Sequence, residues 1–231
     1  MSHDYDASLV KQVVNQLVTS IVNQDPDNHY LAPQIALSKQ HGVSRTIMRE
    51  ALSILISRRM LDARPKRGTR IRSPDEWLIV DHDVVAWRLR AAPDPDWIRS
   101  LIAFHEFIGP RAAGLAARHA NRTGRAAISA AYQMLTRANS GAGSPAQAAD
   151  ALQAAIVDAS GDALLTQLAS IVRLGLHAAT AMPGWEAYAI STSVMHYGQV
   201  VRAIDARDAN AAQHAMIQLL ADKAQPVKDC V

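Results

Sequence analysis

A chain of 231 residues with 49% apolar and 19% charged residues is too hydrophobic to remain unfolded and long enough for one large or two small domains. Its single cysteine, Cys230, excludes an internal disulfide and points to a reducing compartment. The net charge of +3 is unevenly spread: residues 1–75 hold eleven Lys/Arg against seven Asp/Glu, residues 76–231 thirteen against fourteen. No charge-free apolar run approaches the ~18–20 residues of a membrane span. The opening Met1-Ser2-His3-Asp4-Tyr5-Asp6 is polar and acidic, unlike a signal peptide, so a soluble cytoplasmic protein without membrane contact is expected. Of 42 alanines, 37 follow Ala63, which predicts a helical second part.

In chain order, Asp4 or Asp6 is placed to cap a first helix running to about Asn23. Val10, Val13, Val14, Leu17, Val18 and Ile21 repeat on one of its faces, and Asp25-Pro26-Asp27 stops it. A short helix follows around Pro33–Gln40. His41-Gly42-Val43-Ser44 then forms a turn, with Ser44 capping the next helix. That helix buries Met48, Leu52, Leu55 and Ile56, while Arg45 and Arg49, four apart, share another face. Met60–Arg64 and Thr69–Arg72 read as strands around a basic turn, Pro65-Lys66-Arg67-Gly68. The order is that of a winged helix-turn-helix. Residues 58–72 carry seven basic residues and one acid, a pattern that fits either a phosphate footprint or a solvated surface loop.

Ser73-Pro74-Asp75 marks a boundary, giving a DNA-binding domain over 1–74, a linker over 75–93 and an all-helical domain over 94–228. Six helices are predicted there: Asp96–Arg118, Thr123–Arg137, Ser144–Ala159, Asp162–Thr180, Ala187–Ala206 and Asp208–Ala224. They imply an antiparallel helical bundle, with breaks at Asn139–Gly143 and Met182-Pro183-Gly184. The fold class is therefore mostly α. Phe104, Phe107, Trp87 and Trp97 are expected in the core, and His29, His41, His119 and His214 at the surface. Asp158 and Asp162 fit helix-end capping.

The run Gly42-Val43-Ser44-Arg45-Thr46-Ile47-Met48-Arg49-Glu50-Ala51-Leu52, followed by Arg67-Gly68-Thr69, resembles the GntR family of bacterial transcription regulators. The stretch Trp77-Leu78-Ile79-Val80-Asp81-His82-Asp83-Val84-Val85-Ala86-Trp87 is similar to the same segment in the FadR branch, and closely so to that of repressors of galactonate use. The later helices resemble its FCD effector domain. The resemblance implies that Arg45 and Arg49 read bases and phosphates, with Thr46 beside them. A recognition helix enters the major groove with its N-terminal residues facing base edges, and Arg is the usual bidentate reader of guanine. Ser44 and the first-turn amides face phosphate. Lys66, Arg67, Gly68 and Thr69 form the wing contact. One departure stands out: the arginine that commonly contacts DNA in the preceding helix falls at Ile35.

In the family the FCD domain dimerises and binds a small carboxylate, often beside a metal ion. Aligned by Ala159-Ser160-Gly161-Asp162 and by Ala203-Ile204, the metal-ligand positions fall on Ala149, Gln153, Tyr197 and Leu219. Asp150 and His196 each lie one residue off, about 100° around a helix. No metal and no cofactor is expected. Two further family positions read His105 for Arg and Gly109 for Glu. His105, Arg173 and His177 are candidates for holding an anionic effector, with Gln153 and Tyr197 supplying hydrogen bonds. Alternatively, His105 and Tyr197 are satisfied core groups and Arg173 is a surface residue.

The expected function is a transcriptional repressor: a homodimer reading a palindromic operator in double-stranded DNA, its binding modulated by a small organic acid such as a sugar acid. The alternative keeps DNA binding and dimerisation but drops the effector. An enzyme is not expected, since no nucleophile elbow, phosphate loop, metal-ligand set or carboxylate pair is present.

Overall fold

A computed structural model describes residues 2–23, 29–64, 68–91, 95–179 and 194–228. Two compact units divide the chain, Met1–Pro93 and Asp94–Val231. Asp25-Pro26-Asp27, Met182-Pro183-Gly184 and Cys230 lie outside the described residues, as do the side chains of Asp4 and Asp6.

The first unit begins with α1 (Ser2–Val22), α2 (Gln34–Gln40) and α3 (Arg45–Ser57). The six apolar residues of the α1 stripe are all buried, packed with Leu37 of α2 and with Met48, Ala51, Leu52 and Leu55 of α3. Burying each Val- or Leu-sized side chain contributes about 1.5–3 kcal/mol, so this shared core is what holds the three helices together. Ile56 departs from expectation: it is 38% exposed. On a 3.6-residue helix it stands at the edge of the stripe centred on Met48 and Leu55, beyond what the core covers.

Between α2 and α3, Gly42 turns with φ +65°, a conformation that disfavours a side chain. The α3 C-terminus closes in a Schellman arrangement. The Arg59 amide donates to Ile56 O (3.0 Å) and the Met60 amide to Leu55 O (3.0 Å), with Arg59 itself at φ +59° where glycine is usual.

Strands β1 (Leu61–Arg64) and β2 (Gly68–Ile71) pair antiparallel, with Leu61 opposite Ile71 and Arg64 opposite Gly68. A third segment, not anticipated from the sequence, completes the wing. The Leu31 amide donates to Thr69 O (2.9 Å), the Ile71 amide donates to His29 O (2.7 Å), and Tyr30 bridges Arg70.

The segment expected as a linker packs into the first unit. Trp77, Val84 and Trp87 join its core, the Trp77 indole donates to Arg72 O (2.9 Å), and the Trp87 indole donates to Asn15 Oδ1 of α1 (3.1 Å). Helix α4 (His82–Ala91) carries Val84 and Trp87. Two indoles seeking both an apolar bed and an acceptor explain why a stretch that reads as a connection is folded down.

The second unit is a bundle of α5 (Pro95–His119), α6 (Arg122–Asn139), α7 (Pro145–Ala159), α8 (Ala163–Ala179), α9 (Val194–Asp205) and α10 (Ala209–Lys228). Helix α5 packs against α7, α8, α9 and α10, and α6 packs against α7 and α9. Ala113, Ala116 and Ala117 of α5 let these helices approach closely around Leu135, Leu152, Ile156, Tyr197 and Ile204. Asn121 caps α6 through the Gly124 amide (2.8 Å), and Asp162 caps α8 through the Leu165 amide (3.0 Å). No helix of the described residues is long and apolar enough to cross a membrane.

Candidate functional site

Helix α3 turns its apolar stripe inward, so its opposite face is presented to solvent. Ser44, Arg45, Thr46, Arg49, Glu50 and Ser53 are all exposed. The Ser44 hydroxyl oxygen accepts the Ile47 amide (3.2 Å), which fixes the first turn and leaves the preceding amides pointing outward. The Gln34 carboxamide donates to Arg45 O (3.0 Å) and ties α2 to the start of α3. Neither Arg45 nor Arg49 enters an ion pair among the described residues, so the two guanidiniums and the helix N-terminus form one positive surface. Such a surface fits into a major groove with its donors toward base edges and phosphates. Ile35, at the family's arginine position, is 51% exposed and adds no charge to it.

The basic run 58–72 is less positive than its composition suggests. Arg64 pairs with Asp62 (2.9 Å), and Arg70 and Arg72 share Glu76 (3.1 and 2.9 Å). Arg58 spans Asp81 (3.2 Å) and Asp83 (2.6 Å), with its guanidinium 5.4 Å from the Trp87 ring centroid. Four of the seven cations are thus ion-paired within the unit, two of them with one shared carboxylate. Arg59 is exposed and has no ion pair among the described residues. Hydrogen bonding from Arg72 holds the Glu76 carboxyl below its ordinary range, and Arg64 does the same for Asp62. Gly68 opens β2 at φ +88° and Thr69 follows it in the strand. Lys66 and Arg67 lie outside the described residues.

In the bundle, His105, Gln153 and Arg173 line a small cavity with Ile108, Ile156 and Met216 among its apolar walls. Its volume of about 20 Å³ suits one water molecule. Gln153 donates through Nε2 to the Tyr197 hydroxyl (2.7 Å), and both side chains are buried. Arg173 makes a two-point contact with Asp150 on α7 (2.7 and 3.1 Å), so its charge is already met by a carboxylate. His177, expected to join this group, stands apart from it. It is exposed and does not line the cavity, because four residues along α8 carry it about 6 Å beyond Arg173, past a space this small. Tyr197 stands behind Gln153 rather than on the wall.

The residues at the family's metal positions do not fit a metal. Ala149 and Leu219 are buried apolar groups, and Gln153 and Tyr197 satisfy one another. Of the neighbours one residue off, Asp150 is held by Arg173, and His196 Nδ1 lies 2.9 Å from an Asp222 carboxylate oxygen. Among the described residues no group of three or more His, Cys, Asp or Glu could hold an ion. Gly109 stands where the family has Glu. A Cβ built there would lie 2.7 Å from Leu220 Cδ1, so a side chain at this position requires Leu220 to move.

Phe104 and Phe107, expected in the core, are exposed. They stack at 6.4 Å between ring centroids on the outer side of α5, Phe107 being 74% exposed. Their positions fall off the 98-101-102-105-108-112 stripe that faces the bundle.

Residues 9–71 match the family model described as bacterial regulatory proteins, gntR family, and residues 100–222 match the FCD domain model. The chain is 23% identical over 201 residues to the galactonate operon transcriptional repressor of Escherichia coli (strain K12), covering 86% of this chain and 87% of that protein. A shorter similarity, 39% over 57 residues and 25% of each chain, links it to the uncharacterized HTH-type transcriptional regulator YieP of the same organism. Among solved structures, Lar, described as controlling the expression of the Listeria monocytogenes agr system, superposes with a TM-score of 0.61. It is 16% identical, with 96% of this chain and 97% of that one covered. Streptococcus agalactiae GntR gives 0.52 at 21% identity, covering 92% and 98%. These two likenesses establish the fold.

Proposed function

This chain belongs to the GntR family of bacterial transcription regulators and carries an FCD domain, and from that premise we propose that it is a repressor that binds a palindromic operator as a homodimer. One observation carries the DNA-binding assignment: the first two turns of α3 expose Ser44, Arg45, Thr46 and Arg49 as a cationic surface that no acidic side chain of the described residues neutralises. Gly68 and Thr69, with Lys66 and Arg67, supply the wing contact in this reading. The repressor sign follows the similarity to the galactonate operon repressor. The stacked, solvent-exposed Phe104 and Phe107 support a partner subunit, since an exposed aromatic pair is stabilised by being covered.

A small organic acid, such as a sugar acid, is the effector we assign to the bundle, with His105, Gln153 and Arg173 as its polar contacts. His105 and Gln153 sit in otherwise apolar walls, an arrangement suited to orienting a small polar ligand. Binding a ligand larger than one water requires the cavity to widen and Arg173 to exchange Asp150 for the ligand carboxylate. The second reading, a bundle that only dimerises, is favoured by the cavity's size and by the Asp150–Arg173 pair. Calorimetric titration with a panel of sugar acids and small hydroxy acids separates the two. Heat that disappears in a His105→Ala or Gln153→Ala chain supports the effector reading, and no heat from any acid supports the second.

A further inference from the structure

We propose that Glu76 determines operator specificity by holding two wing arginines away from the DNA phosphates. The proposal rests on the DNA-binding reading above. Glu76 closes a single 3₁₀ turn, Pro74–Glu76, directly after the wing. Its Oε1 accepts from Arg72 Nη2 (2.9 Å), and its Oε2 accepts from Arg70 Nη2 (3.1 Å) and from the Ser73 amide (3.2 Å). One carboxylate therefore serves two guanidiniums and is itself fixed by the backbone.

The two arginines stand at alternate positions of the wing, so they share a face, and Ile71 between them turns toward the core. Their side chains keep 35% and 31% exposure, enough to reach solvent. Both lie within a few residues of Gly68, where the wing turns, and within a Debye length of about 8–10 Å their charges would add to the attraction for a DNA backbone. Contacts to phosphate carry no sequence information and make up essentially all non-specific binding. Pairing Arg70 and Arg72 with Glu76 removes one net positive charge from the wing, which lowers that background and leaves discrimination to Arg45 and Arg49. The Arg58 contacts with Asp81 and Asp83 and the Arg64 contact with Asp62 follow the same pattern, but among the described residues Glu76 is the carboxylate that pairs with two cations.

The test uses the full chain and fluorescence anisotropy with two duplexes, a selected operator and a random sequence of equal length, between about 50 and 200 mM salt. Glu76→Gln is expected to steepen the plot of log affinity against log salt by about one unit. That is a roughly fourfold greater loss across the range. It also raises affinity for the random duplex and lowers the operator-to-random ratio. Arg72→Ala alone leaves the slope unchanged, and in the Glu76→Gln background it returns the slope toward the parent value. An unchanged slope in Glu76→Gln overturns the proposal, as does a shallower one in Arg72→Ala alone, which would place Arg72 on phosphate already. Circular dichroism checks that each variant is folded. Failure of the parent chain to bind either duplex overturns the DNA-binding reading itself, whereas parent binding with an unaltered Glu76→Gln slope overturns only the role of Glu76.

Discussion

The carboxamide of Gln153 donates to the hydroxyl of Tyr197 at 2.7 Å, inside the bundle at two of the positions where the family resemblance implies metal ligands. Two neutral side chains thus satisfy each other where an ion would have to be surrounded by imidazoles and a carboxylate. Chelator treatment is therefore expected to leave the melting temperature unchanged. Tyr197→Phe, which strands the Gln153 donor in a buried site, is expected to cost about 1–3 kcal/mol. Thermal unfolding with and without chelator checks both, and a chelator-dependent melting temperature would contradict this reading of the core.

Asp150 competes with any ligand for Arg173. Its two-point contact leaves the guanidinium no unmet charge, so removing the Asp150 charge makes the site more receptive to anions. Asp150→Asn is expected to tighten binding of a small hydroxy acid about tenfold in calorimetry. Equal or weaker binding in that variant would show that Arg173 takes no part in acid binding.

Ile35 leaves room for a gain of function. It is half exposed on α2, where the family carries an arginine, and its replacement disturbs no core. Ile35→Arg is expected to raise operator affinity and steepen the salt slope by about one. A variant indistinguishable from its parent in the same titration would mean that this face of α2 does not approach phosphate.

The wing carries an acid-sensitive element. Glu76 and Asp62 are held below their ordinary range, chiefly by hydrogen bonds from Arg72 and Arg64. A carboxyl with a lower pKa in the folded state stabilises the fold above its unfolded value, and this contribution is lost as pH falls through the folded value. The stability difference between the parent chain and Glu76→Gln is therefore expected to be full near neutrality and to shrink below about pH 4.3. Melting temperatures of both chains from neutral pH downward measure it, and a difference that grows with acidity would contradict the assignment.

Periodicity made much of the fold readable. The α1 stripe, the Ser44 cap and the order of helices and hairpin follow from spacing within one element; α1, however, starts at Ser2, ahead of the expected cap at Asp4 or Asp6, and the expected start of the Ala187–Ala206 helix lies outside the described residues. What escaped depends on residues distant in sequence or on competition between neighbours. The bridge from Tyr30 to Arg70 joins an irregular segment to a strand forty residues away, and no local pattern marks it. The run 58–72 looked uniformly basic because its acidic partners, Glu76, Asp81 and Asp83, lie just beyond it. Trp77 and Trp87 looked like parts of a connection, although their indoles find acceptors on Arg72 and Asn15. Phe104 and Phe107 were assigned to the core by residue type alone, whereas their helical positions lie at the edge of the α5 stripe, beside Ile108, and beyond it. His177 was grouped with Arg173 by its four-residue spacing, which fixes a face but not how far the cavity extends.

The most direct test of the central claim is selection of sheared genomic DNA of the source organism on the purified full chain, sequenced at two salt concentrations, beside an Arg49→Ala variant. A functional repressor of this kind enriches one short palindrome, with affinity falling steeply as salt rises. Arg49→Ala loses about 1–3 kcal/mol on that sequence while keeping most of its binding to random DNA. Salt-sensitive binding with no enriched sequence, or an Arg49→Ala chain that selects the same palindrome with the parent's affinity, would contradict the assignment of α3 as the element that reads the operator.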